Sequence, residues 1–145
     1  MNENLDPNWV GENTEEEEIY KENILDHFKN PHNFGKLDNY TFKHMEYNPV
    51  CGDQIEIFVH LNNNKVKDVK FIGKGCAISM ASASMLTEKI KNMRLEELRN
   101  IKNEVVLEMI GVKLGVVRRK CGLLSLKVLM SGIYNMEIKN EQINY

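Results

Sequence analysis

The chain has 145 residues, 42% hydrophobic and 28% charged, which suits one domain able to bury roughly two-thirds of its unfolded surface without staples. No apolar run nears the ~18 residues of a membrane span and the acidic start has no signal-peptide core, so a cytoplasmic protein outside any membrane is expected. The net charge of −2 gives no case for nucleic acid, and three cysteines, an odd number, point to thiol or metal chemistry over a disulfide framework.

Residues 1–18 carry seven acids and no base, from Glu3 to the run Glu15 to Glu18. Polar composition and like-charge repulsion predict a flexible acidic tail there, followed by one domain over 19–145. Trp9 and Val10 are its only candidates for docking on the body or a partner. Thr14 with Glu17 resembles a capping box, a signal for a helix start.

From Ile19 to Phe28 the apolar residues recur at helical spacing, and Asn30-Pro31 ends the helix. Tyr40 to Tyr47 reads as extended. Ile55, Ile57, Val59 and Leu61 alternate as in a half-buried strand, Asn62-Asn63-Asn64 supplies a turn, and Val66 to Ile72 closes a hairpin. Val66 and Val69 fall on opposite faces of a regular strand, which predicts a bulge between them. Cys76 to Met93 is helical and rich in alanine and serine. Short helices follow around Leu95 to Ile101 and Val105 to Ile110, and a last one runs from about Gly122 to Ile138. Strands segregated from helices predict an α+β fold, a small antiparallel three-stranded sheet with helices packed on one face.

Cys51, Cys76 and Cys121 lie 25 and 45 residues apart, so no local zinc-finger pair exists. Taken singly, each could be a small buried hydrophobe. Their settings are alike, however: each stands beside glycine or an element boundary. Cys76 and Cys121 fall where helices are predicted to begin, and Lys74, Arg118, Arg119 and Lys120 are nearby, conditions that favour thiolate. Asp53, two residues after Cys51, can reach the same metal, although an aspartate in a turn also serves as an Asx-turn residue. Three thiolates and a carboxylate suit zinc, or an iron–sulfur cluster with one labile oxygen ligand.

These segments resemble the iron–sulfur cluster scaffold family, the NifU N-terminal, IscU and SufU group. The likeness covers Tyr20 to Gly35, Cys51-Gly52-Asp53, Gly73 to Ala77, and Ile101-Lys102-Asn103 ahead of Cys121. The resemblance implies a SufE/NifU-like fold. It also implies that Cys51, Asp53, Cys76 and Cys121 hold a transient [2Fe–2S] cluster or Zn²⁺, and that Cys121 accepts persulfide from a cysteine desulfurase. The implied partners are that desulfurase and recipient apo-proteins or carriers, with a homo-oligomer as a further expectation. Such scaffolds are not enzymes. The alternative is a zinc-bound, SufU-like sulfurtransferase.

Two departures stand out. Lys120 replaces the histidine that precedes the last cysteine in IscU, and an ammonium has no lone pair for a metal. Lys120 would instead attract persulfide charge or pair with Asp53. Leu114 to Arg118 lacks the prolines of the IscU chaperone-binding segment. The setting of Cys121 is SufU-like, yet the 45-residue interval is too short for the SufU insertion.

His27 and His32 are expected to be structural hydrogen-bonding residues, and His60 a solvated one. His44 is a further possible ligand. Nothing pairs a histidine base with a cysteine as thiol hydrolysis requires. The basic stretch Lys113 to Lys120 lacks interleaved aromatics and suits an acidic protein surface better than nucleic acid.

Overall fold

The computed structural model describes residues 15–143, without the side chain of Ile143. Trp9, Val10 and Thr14 lie outside the described residues. Helix α1 spans Glu15–Lys29, so Glu15 to Glu18, expected as tail, form its first turn. Four carboxylates stabilise the positive end of the helix dipole there, and His27 and Lys29 serve the opposite end. The apolar pattern begins at Ile19 and misses this turn because all four of its residues are glutamates, although Glu17 among them is buried.

Strands β1 (Phe42–Asn48), β2 (Asp53–Asn62) and β3 (Lys65–Lys74) form one antiparallel sheet in the order β1-β2-β3. Asn63 and Asn64 both have positive φ, 55° and 58°. Such a two-residue turn matches the right-handed twist of the strands it joins. The register shifts between His60 and Leu61: His60 pairs with Asp68 and Leu61 with Val66. The extra residue on β3 is Lys67. This is the predicted bulge, and it lets Val66 and Val69 both be buried on the inner face.

Helix α2 (Ala77–Ile90) follows β3, then α3 (Leu95–Arg99), α4 (Asn103–Ile110) and α5 (Val116–Ile143). Helix α2 packs on β3 and β2, α5 on β1 and β2, and α1 packs on α2 from outside. The helices thus cover one sheet face, closing a core in which Ile55, Ile57, Val59, Phe71, Leu86, Ile90 and Leu129 are almost fully buried. Helix α2 has eleven buried residues. A helix buried on nearly every side needs small residues where others cross it, and its alanines and serines supply them. On the other sheet face Phe58 is also buried, beside Tyr40 at 5.8 Å between rings, with the Lys43 ammonium over both.

The last helix begins at Val116 and not near Gly122. Gly122 reads as a breaker in sequence, but a Cβ there would lie 2.9 Å from Ile110 Cδ1 and 3.2 Å from Leu114 Cδ1. It is a close-packing glycine inside α5. The Ser82 hydroxyl donates to its carbonyl at 2.6 Å, tying α2 to α5.

Candidate metal and sulfur site

The β1–β2 hairpin turn carries Cys51. Asn48 shapes it: its carbonyl accepts from the Gly52 N–H at 2.8 Å, and its Oδ1 accepts from the Val50 N–H at 3.1 Å. Gly52 turns the chain at φ 76°, a conformation natural to glycine. The Asx-turn role expected as the alternative for Asp53 therefore falls to Asn48. Asp53 opens β2 and is 1% exposed. Its Oδ1 accepts from the Cys76 N–H at 3.0 Å, and the Cys76 thiol lies 3.6 Å from Oδ2.

Cys76 is the N-cap residue of α2, as expected. Gly75 makes the approach of Asp53 feasible, since a Cβ at 75 would stand 2.5 Å from Asp53 Oδ1. Cys121 differs from its expectation. It is the sixth residue of α5 and is fully buried, so it does not cap a helix. Burial pushes its thiol up, and hydrogen bonding to Cys51 and Asp53 pushes the same way. Proximity to cations in sequence does not overcome desolvation in space.

The sulfurs of Cys51 and Cys121 stand 3.1 Å apart. Ligand atoms of Cys51, Asp53 and Cys121 all fall within 4.8 Å of one another, and Cys76 joins them through Asp53. Chain segments 25 and 45 residues apart thus bring all four predicted side chains together. The cleft above them, about 510 Å³, is lined by Cys51, Gly52, Asp53, Lys74, Gly75, Cys76, Val117 and Arg118.

Only two of the four expected cations, Lys74 and Arg118, line this cleft. Arg119 faces the groove beside α1, and Lys120 a groove shared with Tyr47, Lys102 and Asn103. Among the described residues Lys120 forms no ion pair with Asp53, because the Asp53 carboxylate is turned inward toward the Cys76 amide. Ser79 is a neighbour the sequence reading missed: its Oγ is 3.7 Å from the Cys76 sulfur, and its hydroxyl donates to the Cys76 carbonyl at 3.1 Å. The three-residue spacing from Cys76 to Ser79, one helical turn, is the signal that could have found it.

The histidines lie elsewhere. His27 Nδ1 sits 2.8 Å from Ser84 Oγ, which also accepts from the His32 N–H at 2.8 Å. Burial and the neighbouring His32 lower the pKa of His27. His44 Nε2 lies 3.0 Å from Glu46 Oε1.

The donor set is chemically suited to a single tetrahedral ion, with three sulfurs and one carboxylate. It is equally suited to a cluster whose iron keeps one exchangeable oxygen ligand.

The family model described as NifU-like N terminal domain matches residues 19–143. The iron–sulfur cluster assembly scaffold protein IscU 1 of Archaeoglobus fulgidus is 34% identical over 128 residues, covering 87% of this chain and 82% of that protein. The zinc-dependent sulfurtransferase SufU of Bacillus subtilis is 36% identical over 137 residues, covering 82% and 92%. A crystal structure from Fervidobacterium islandicum AW-1, of a protein assigned to cluster-assembly scaffolding for the SUF system, superposes with a TM-score of 0.68. That protein is 30% identical, and the match covers 80% of this chain and 97% of that one.

Proposed function

This chain belongs to the NifU-like N-terminal domain family, and from that premise we propose that it is a scaffold for iron–sulfur cluster assembly. It builds a labile [2Fe–2S] cluster from iron and sulfur supplied by a cysteine desulfurase, then passes it to apo-proteins. The observation that carries this reading is the convergence of Cys51, Asp53, Cys76 and Cys121 at one cleft.

In this reading the cluster is cargo. Three thiolates hold iron firmly, while the harder carboxylate of Asp53 exchanges readily and leaves one edge open. Lys74 and Arg118 at the rim attract the anionic sulfur species. Cys121 is the proposed sulfur acceptor. Since Cys51 stands against it and it is fully buried, sulfur reaches it only when the Cys51 turn lifts. Lifting it would break the two Asn48 hydrogen bonds that shape the turn and would not uncover Val50, which is already 65% exposed at its tip.

The second reading, a zinc-dependent sulfurtransferase, is favoured by the SufU relative and by the Arg119-Lys120-Cys121 setting. Here zinc would be held by the same four residues and would keep their thiols deprotonated. Against it, the 137 aligned positions of that relative fall on only 82% of this chain. The relative thus carries residues without counterpart here, whereas the IscU 1 alignment is nearly continuous.

Anaerobic reconstitution with ferrous iron, cysteine, a cysteine desulfurase and a dithiol reductant, which with the iron supplies the electrons that take persulfide sulfur to sulfide, separates the two. The scaffold reading expects a visible chromophore with about two irons and two labile sulfides per cluster. Retained zinc, a stimulated desulfurase and no chromophore would support the sulfurtransferase instead.

A further inference from the structure

Cys121 is fully buried, and the sulfur of Cys51 lies against it at 3.1 Å. Cys51 belongs to the short turn, residues 49–52, between β1 and β2. Both feet of that turn are anchored. Asp53, after it, is buried and accepts from the Cys76 N–H. Asn48, before it, is 8% exposed and pairs with Asp53 across the sheet. Between these feet, Pro49 and Val50 are exposed, so burial does not hold the tip in place.

Two hydrogen bonds from Asn48 order the backbone there. Its carbonyl accepts from the Gly52 N–H, a bond that any residue at 48 could make. Its side-chain Oδ1 accepts from the Val50 N–H at 3.1 Å. That second bond needs an oxygen on a short side chain, which only asparagine, aspartate, serine or threonine supplies. It fixes the residue next to Cys51, and swinging Cys51 away from Cys121 must release it.

We propose that the Asn48 side chain is a latch: by holding the Val50 amide it keeps the Cys51 turn closed over Cys121 and sets how often that sulfur is open to an incoming reactant. Asn48 touches no reacting atom and acts through the turn, as a positioning residue. Its bearing on sulfur loading rests on the proposed acceptor role of Cys121, whereas the latch itself does not. A buried thiol reacts through local opening, at a rate set by the open fraction when closing outpaces the reaction. Removing one hydrogen bond of the closed form raises that fraction about two- to tenfold.

The test follows iodoacetamide alkylation of Cys121 in the metal-free full chain carrying Cys51→Ser, so that a label on Cys51 does not prop the turn open. Cys76 in the same chain is the internal reference. Mass spectrometry of timed digests should show Cys121 labelled about two- to tenfold faster with Asn48→Ala, and Cys76 unchanged. Asn48→Ser, whose hydroxyl accepts the same bond without adding charge, should return the rate toward that of the parent. In low urea the Cys121 rate should rise only weakly, because local opening exposes little surface. Equal Cys121 rates with and without Asn48→Ala, no recovery with Asn48→Ser, or a steep urea dependence that tracks global unfolding would each overturn the latch. With Cys51 restored, persulfide loading of Cys121 by a cysteine desulfurase should quicken by a similar factor in Asn48→Ala. A chain that alkylates faster yet gains no persulfide would contradict the acceptor role of Cys121 and leave the latch standing.

Discussion

At the scale of single residues, the three cysteines differ in access although they share one site. Cys51 and Cys76 are half-buried at the cleft wall, whereas Cys121 lies beneath them with its thiol pushed up by burial. Thiolate character and exposure both govern alkylation. In the metal-free protein, iodoacetamide should therefore modify Cys51 and Cys76 first, with Cys121 slower by about tenfold or more. Mass spectrometry of timed digests checks this order. Cys121 reacting first would mean that the Cys51 turn is already open in solution. The four candidate ligands were legible in sequence because glycines and boundaries mark each one. The burial of Cys121 was not, since it depends on where α5 starts, and Gly122 looks like a boundary until Ile110 is seen packed against it.

At the scale of elements, the site depends on how α2 meets α5. Helix α2 presents Cys76 at its start, and α5 presents Cys121 beside Gly122. Ser82 joins the two helices through its bond to the Gly122 carbonyl and through Ser125, 3.1 Å away. All three positions lie in the packed interior. Ser82→Ala removes one buried donor and leaves the Ser125 hydroxyl one partner short, so a loss of about 1–2 kcal/mol is expected. Chemical denaturation measures it as a lower midpoint with an unchanged slope. The sheet was the most readable part of the fold, since alternation, the asparagine turn and the valine mismatch together predict its hairpin and its bulge. The start of α1 was less so, because a run of four glutamates looks like tail until a helix dipole gives it a role.

At the scale of the whole molecule, the joint between α1 and α2 links stability to pH. The pKa of His27 is lowered from its ordinary 6.5, first by burial and then by the adjacent His32. The unfolded chain therefore binds more protons than the native one as pH falls below about 6.5. The contribution of this group is fully present above that value and is lost as pH falls through the window toward its lower native pKa. Thermal melts from neutral pH to about pH 5 should show a falling midpoint, and His27→Gln, which keeps an acceptor near Ser84, should flatten that slope. An unchanged slope would show that His27 stays equally protonatable in both states.

The charge distribution is likewise a property of the whole molecule. A net charge of −2 hides an acidic start and a basic body, and the basic stretch divides in space: Arg118 faces the cleft, Arg119 the groove by α1, and Lys120 a third surface. Sequence proximity alone could not separate these, because successive residues of a helix point about 100° apart.

The central claim is that the four converging residues hold a cluster loosely enough to give it away. Its most direct measurement is anaerobic transfer from the reconstituted chain to excess apo-ferredoxin in the presence of an iron chelator, followed by the circular dichroism of the acceptor's cluster. Rapid appearance of holo-ferredoxin despite the chelator, slowed by Asp53→Ala with the donor's cluster persisting longer, is the predicted result. A chelator that captures all the iron, or transfer at the same rate from the Asp53→Ala protein, would contradict the account.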